Sequence, residues 1–303
     1  MRVALLTNPQ ARQGRGEAAA ARIAAAITAR GHPVRRIRPT SVDSIGPSIA
    51  AAVADGSQRL LLAGGDGLIH HALPAILETG VDVGILAVGT GNDFSRAVGI
   101  DSKGFSRGRW LERAVNIALG PTSAFDVMHT PAGPVASVAT AGFSGSVNQT
   151  ANAMRLPLGA QKYTLATLRE SARLQPMALR LLLDGDRSIE QEACLVAIAN
   201  TRYFGGGMAV CPEADPTDGC LDVTIVDPLS APKLLAFLPL VFSGRHVRHP
   251  AVNTYRAKRI EAAADASFWG DGERLDFSAG VFHVGEGALR LAAPHSETSI
   301  PSG

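Results

Sequence analysis

Lysine is scarce in this 303-residue chain: Lys103, Lys162, Lys233 and Lys258 are the only four among 29 basic residues. With 27 acidic residues the net charge is +2, which leaves no electrostatic case for binding bulk nucleic acid. A phosphate site would have to lean on arginine, backbone amides or a metal ion. Cysteine is equally sparse. Cys194, Cys211 and Cys220 cannot all pair within the chain, and no Cys-x-x-Cys spacing occurs. That disfavours a zinc knuckle or a disulfide framework and fits a reducing compartment. No apolar run approaches the ~20 residues that span a bilayer. The most apolar stretch, Leu234 to Phe242, is short and contains Pro239. The opening MRVALLTNPQ lacks the long apolar region of a secretory signal, so a cytoplasmic protein is expected, at most peripheral at the inner face of a membrane. Charged residues make up only 18% against 46% hydrophobic, which excludes a disordered chain.

The length is more than one average core wants, so two domains are expected. Over the first 120 or so residues, short apolar runs alternate with helical patterns. Arg2 to Thr7, His32 to Ile37, Arg59 to Ala63 and Val83 to Val88 read as strands. Glu17 to Arg30, Ile45 to Ala54 and Leu68 to Leu77 read as helices, with Gly31 and Gly56 as stops. Strand, loop and helix in repetition argue a parallel sheet covered on both faces, with ligands at the carboxyl ends of the strands. After about Ser123 the texture changes to short apolar runs divided by turn residues. These are Val135 to Ala141, Ala178 to Leu183, Cys194 to Ala199, Leu221 to Val226, Val252 to Ala262, Ser267 to Trp269, Val281 to Val284 and Ala288 to Leu291. They predict an antiparallel sandwich or barrel. Gln161 to Arg173 and Pro232 to Phe242 read as helices within it. The expected architecture is α/β plus all-β: a Rossmann-like parallel-sheet domain over 1–122, an antiparallel β-sandwich domain over 123–290, and a tail over 291–303.

Two common phosphate signatures are absent. There is no Gly-x-x-x-x-Gly-Lys-Ser/Thr, and no Gly-x-Gly-x-x-Gly opens a helix after the first strand. What stands instead is LLLAGGDGLIHHALPAI, Leu60 to Ile76. Glycines around one acid, directly after a strand, leave backbone amides open to an anion, and the helix that follows aims its positive end at the same place. Asp66 would repel phosphate, a conflict that a cation or a loop-fixing hydrogen bond resolves. A plain strand-to-helix turn with Asp66 as N-cap explains the same residues. A second loop, GILAVGTGNDFSRAVGI, sets Thr90, Asn92 and Asp93 at another strand end. They suit a polar ligand, a cap on the helix that follows, or both. Asn8-Pro9 makes a third polar strand end, and three such ends converging indicate a site.

NPQARQGRG, GGDGLIHHAL and VGTGNDFSRAVGI resemble the nucleotide-binding signatures of the bacterial diacylglycerol kinase and sphingosine kinase family, which shares its Gly-Gly-Asp-Gly loop with NAD kinases. FGGGMAVCPEADPTDGCLDVTIV, Phe204 to Val226, is similar to that family's metal-site segment, and WGDGERL, Trp269 to Leu275, to its Asp-Gly-Glu loop. The resemblance spans nearly the whole chain, from residue 8 to about 290. It implies an ATP- and Mg²⁺-dependent lipid kinase, with diacylglycerol as leading substrate. Asn8, Pro9, Gln10, Ala11, Arg12 and Thr40 would contact nucleotide. Gly64, Gly65, Asp66, Gly67, Leu68, Ile69 and His70 would cradle its phosphates, with Thr90, Asn92 and Asp93 contributing from the second loop. Asp215, Asp218 and the carbonyl of Cys220 match the metal site. Asp93 and Asp126 fall where the family runs an acid–water network. Glu273 matches the proton acceptor, with Asp271 beside it and Asp66 completing the catalytic acids.

Read without the family, Asp215 and Asp218 are hard oxygen donors for Mg²⁺ or Ca²⁺, or members of a simple turn before a strand. Asp271-Gly272-Glu273 likewise reads as a hairpin turn. The chain departs from the family pattern at Leu68, where Thr is common, at His70-His71, which replaces an Asn/Glu-rich continuation, at Thr217, where an acid is frequent, and at the first turn, which lacks an early glycine. The partners implied are a lipid at a membrane surface and, as an option, a second copy of the chain. The apolar Pro232 to Phe242, followed by Arg245, His246, Arg248 and His249, suits an anionic membrane; a helix packed on the sandwich with a basic loop after it explains the same pattern. An NAD kinase-like enzyme and a catalytically silent nucleotide- or lipid-binding protein are the competing functions.

Overall fold

Five consecutive buried residues make Val3–Thr7 a strand, β1, with both faces covered. The computed structural model describes residues 1–7, 16–100, 108–142 and 176–294. The chain divides into two units, Met1–Ala124 with Leu289–Gly303, and Phe125–Ala288. The first turn at 8–12, the helix expected over Gln161 to Arg173 and the polar tail after Pro294 lie outside the described residues.

In the first unit β1 is followed by α1 (Gly16–Thr28), β2 (Val34–Ile37), α2 (Ile45–Ala54), β3 (Arg59–Gly64), α3 (Asp66–Thr79), β4 (Asp82–Ala87), α4 (Asp93–Ala97) and α5 (Gly108–Ala118). The strands run parallel in the order β2-β1-β3-β4. Ile23 and Ile27 of α1 and Trp110, Ala114, Val115 and Ala118 of α5 pack with Val3, Leu5, Leu61 and Leu86 on one face. On the other face α2 and α3 pack together, against β1 and β3. Gly80, in the left-handed region at φ 64°, ends α3, a backbone conformation that glycine adopts without strain.

The second unit holds most of β5 (Ser123–Thr130), β6 (Gly133–Val135), β7 (Val138–Gly142), β8 (Met177–Leu183), β9 (Arg187–Ala193), β10 (Leu195–Ala199), β11 (Leu221–Val226), α6 (Ala231–Phe242), β12 (Val252–Ala257), β13 (Arg259–Ala264), β14 (Trp269–Gly270), β15 (Glu273–Arg274) and most of β16 (Ala279–Ala292). One antiparallel layer runs β16-β13-β8-β9; the other runs β12-β11-β10-β7-β14-β15. Side chains alternate along β8, so that Met177, Leu179, Leu181 and Leu183 face inward. They meet Val196, Ile198, Leu221, Val223 and Ile225 of the opposite layer around Phe268 and Phe282, the core of a β-sandwich. The outer face of β10 and β11 is also covered: Val210, Cys211 and Ala214 pack on Ala197 and Ala199, and Phe237 and Val241 of α6 on Val226.

The α/β-plus-sandwich class is therefore as expected. Three details differ. The segment Val252 to Ala262 is two strands, β12 and β13, divided at Lys258. The runs at Val281 to Val284 and Ala288 to Leu291 are one strand of 14 residues. That strand continues past residue 290: Leu291 and Ala292 pair with Val83 and Gly84, so they belong to a sheet and not to a tail.

Candidate active site

The two glycine loops of the first unit pack backbone against backbone. A Cβ on Gly89 would lie 2.4 Å from the Cα of Gly65 and 2.7 Å from Oδ1 of Asn92. A Cβ on Gly91 would lie 2.8 Å from Oδ2 of Asp66. Only glycine permits this approach. Asn92, buried and left-handed at φ 55°, closes the second loop by donating from Nδ2 to the Gly89 carbonyl at 2.9 Å. Gly65, not Asp66, is the N-cap of α3. The Asp66 carboxylate instead crosses to the second loop and accepts the Phe94 amide at 3.1 Å, capping α4. Asp66 is thus a loop-fixing acid that ties the two glycine turns together.

Of the residues expected to cradle phosphate, Gly64 to Gly67 form the turn at the positive end of α3. Leu68 and Ile69 are buried, and their amides both donate to the Gly65 carbonyl, at 3.0 and 3.3 Å. Leu68 is folded back over Gly64, where a Cβ would lie 2.5 Å from its Cδ2. The side chain that departs from the family pattern is thus packed in the interior, as is that of Ile69. His70 is half-buried, edge-on to His71. Thr90 and Thr40 are exposed, and the Thr40 amide donates to Ser44 Oγ. Asp93 is buried against Arg96, 2.5 Å away, and Arg96 also reaches the Gly91 carbonyl at 3.1 Å. Arg96 escaped the sequence reading, although a chain poor in lysine needs an arginine beside such a loop.

In the second unit, Asp215–Cys220 forms a tight turn before β11. Asp215 Oδ1 accepts the amide and hydroxyl of Thr217, at 3.0 and 2.6 Å, and Asp218 Oδ1 accepts the Cys220 amide at 3.0 Å. Asp218 Oδ2 pairs with Arg256, which also lies 3.6 Å from Asp222. Burial pushes the Asp222 carboxyl up to about 6; Arg256 pulls it down, and Asp218, Glu213 and Asp215 push it further up. A hard divalent cation fits this donor set of two carboxylates and the Cys220 carbonyl, and it fits the surplus of negative charge. Among the described residues no three His, Cys, Asp or Glu side chains gather as a metal cluster, so the main-chain oxygen would be indispensable.

Asp126, buried, binds the same turn. Its Oδ2 accepts the Gly219 amide at 2.8 Å, its Oδ1 the Gly287 amide at 2.7 Å, and its own amide donates to Pro216 O at 2.7 Å. Asn200, fully buried at the end of β10, donates from Nδ2 to the carbonyls of Asp126 and Ala136, at 2.9 and 2.8 Å. The amides of Ala136 and Ser137 in turn donate to the two oxygens of Asp271, at 2.9 and 2.8 Å. Asp271 and Gly272, at φ 51° and 90°, are the two loop residues of the β14–β15 hairpin, the positive-φ pair that an Asp-Gly hairpin turn requires. Glu273, the first residue of β15, is exposed. A continuous hydrogen-bond chain therefore runs from the acidic turn through Asp126 and Asn200 to the Asp-Gly-Glu hairpin. Asn200 was not singled out in the sequence; its one signal is a polar residue at the end of an apolar strand.

Residues 2–130 match the diacylglycerol kinase catalytic domain, and residues 137–293 match the YegS C-terminal NAD kinase beta sandwich-like domain. A diacylglycerol kinase of Mycobacterium tuberculosis is 37% identical over 265 residues, covering 86% of this chain and 84% of that one. This chain belongs to the diacylglycerol kinase family of lipid kinases. A Pseudomonas aeruginosa protein named "Probable lipid kinase YegS-like" is 31% identical over 81% of this chain and 80% of its own. A crystallised diacylglycerol kinase from Bacillus anthracis shares the fold, with a TM-score of 0.72 at 17% identity over 96% of both chains. Membership in a lipid kinase family implies a nucleotide substrate. No helix among the described residues is long and apolar enough to cross a membrane.

Proposed function

We propose that the protein transfers the γ-phosphoryl group of ATP to the hydroxyl of diacylglycerol or a closely related lipid, working peripherally at the inner face of a membrane. The observation that carries this reading is the hydrogen-bond chain from the acidic turn to the Asp-Gly-Glu hairpin, which fixes a base loop to a candidate cation site. In this reading Asn8 to Arg12 and Thr40 contact the nucleotide, and the amides of Gly64 to Gly67, at the start of α3, take its phosphates with Thr90 alongside. Asp66, Asn92 and Asp93 hold the two loops in register. Asp215, Asp218 and the Cys220 carbonyl would hold Mg²⁺, which when bound offsets phosphate charge.

The division of labour between the two hairpin acids follows from their surroundings. Both oxygens of Asp271 are occupied by backbone amides. A carboxylate so held anchors the loop. Glu273 is exposed and takes the proton from the lipid hydroxyl as its oxygen attacks the γ-phosphorus. Glu273→Gln should lower kcat on diacylglycerol in mixed micelles by roughly 10²–10⁴-fold. Asp66→Ala should abolish turnover, and both variants should keep a cooperative thermal transition. Wild-type rates in both would overturn these assignments.

A further inference from the structure

The helix α6 packs one face on the sandwich and leaves the other outward. Leu234, Phe237 and Val241 are buried, whereas Pro232, Lys233, Ala236, Pro239 and Phe242 are exposed at helical spacing, Phe242 by 55%. Phe242 is one of only three exposed large hydrophobic residues among those described, which sets this stripe apart. Beside it lies an open groove of about 590 Å³ floored by Leu229, Phe237 and Leu240 and rimmed by Lys233 and His249. The 3-10 turn Arg245–Arg248 follows directly, with Arg245 and Arg248 exposed. His246, grouped with them in the sequence, belongs elsewhere: it is buried, and its Nε2–H donates to the Val210 carbonyl at 3.0 Å. The acid on the groove wall, Asp227, is engaged by the side-chain amides of Gln191 and Asn253.

We propose that this face, the outer stripe of α6 with Lys233, Arg245 and Arg248, is the surface by which the protein docks on an anionic phospholipid bilayer. Lys233 on α6, and Arg245 and Arg248 on the turn directly after it, are exposed cations flanking this stripe in the chain. Their positive charge borders an apolar stripe ending in an exposed phenylalanine, and only a partner both anionic and apolar satisfies the two together. A bilayer rich in acidic lipid is that partner: its headgroups meet the three basic side chains, and its acyl region takes Phe242 and the mouth of the groove. The inference deepens the lipid-kinase reading, since it names the surface that brings the protein to a bilayer-embedded substrate.

The test is sedimentation with vesicles of phosphatidylcholine alone and of phosphatidylcholine with phosphatidylglycerol, which needs no turnover. Wild-type protein should bind the mixed vesicles and not the neutral ones. The double variant Arg245→Glu with Arg248→Glu should lose partitioning by at least about 20-fold. Phe242→Asp should lose it comparably, with each variant still unfolding cooperatively. The pair Arg22→Glu with Arg180→Glu changes net charge equally on exposed positions elsewhere and should bind as wild type. Turnover of monodisperse short-chain diacylglycerol by the Arg245/Arg248 variant should be unchanged. Equal binding to neutral vesicles, no binding to either, or wild-type binding by the α6-face variants would overturn the proposal. So would a change of oligomeric mass in Phe242→Asp, which would give the face to a second copy. Failed turnover in wild-type protein with vesicle binding intact would instead count against the kinase reading alone.

Discussion

A methyl group on Gly89 would come within 2.4 Å of the Gly65 backbone, a contact that no rotamer change can relieve. Gly89→Ala should therefore push the two loops apart, costing about 1–3 kcal/mol of stability. It should also weaken nucleotide binding well beyond what a surface substitution does, as titration calorimetry would measure. Unchanged affinity would mean that the loop contact does not matter to the nucleotide. Asp271→Ala would strand two backbone amides and should cost about 1–3 kcal/mol in urea unfolding. Glu273→Gln, exposed, should cost almost nothing by the same measurement. Equal losses would remove the distinction between anchor and base. At this scale the acids and glycines could be named from motif alone, since spacing shows that they lie at strand ends. Which way a side chain turns could not. Leu68 folds back over Gly64 one turn before it, and Asp66 caps a helix 28 residues further on through the Phe94 amide, a contact outside any local pattern.

Elements were legible where burial imposed a period. The fully buried β1 and β3 appear as short apolar runs, β11 alternates apolar residues with the buried Asp222 and Thr224, and α2 begins and ends as expected. Strand β9, RSIEQEA, gave no such signal because it is the edge of its layer and needs only β8 as partner. Strand β16 looked like two runs because glycines interrupt it. Yet a Cβ on Gly285 would strike the His129 ring at 2.6 Å, and Gly287 gives its amide to Asp126. Two predictions belong here. Asn200→Ala removes the donor shared by the Asp126 and Ala136 carbonyls and should lower kcat more than it alters KM for ATP; a change confined to stability would make Asn200 merely structural. Burial lowers the pKa of His246 from its usual 6.5. Its neutral form therefore contributes stability that is fully present above about 6.5 and lost as pH falls towards the lowered value. His129, lowered by burial and by its stacked neighbour His283, acts with the same sign. The urea midpoint should fall on acidification from pH 7 to 5, and His246→Gln should fall less; an identical drop would assign the loss to other groups.

For the molecule as a whole, two families of features had to agree before a function could be named. The glycine loops of the parallel-sheet unit alone are compatible with an NAD kinase, and the hairpin of the sandwich unit alone is compatible with a plain turn. Their order along one chain identifies the lipid kinase family, and the hydrogen bonds joining the Pro216–Gly219 turn to Asp271 supply a physical reason for the hairpin to be more than a turn. Phosphoryl transfer asks a protein mainly for positioning and charge, which in the proposed reading the glycine loop, the acidic turn with its cation and the anchored hairpin would supply together. The direct trial is to offer γ-labelled ATP with Mg²⁺ to mixed micelles of diacylglycerol, ceramide, sphingosine or phosphatidylglycerol, and to soluble NAD in parallel. Label in diacylglycerol and none in NAD is the predicted result. Label in NAD alone, or in no lipid while ATP demonstrably binds, would contradict it.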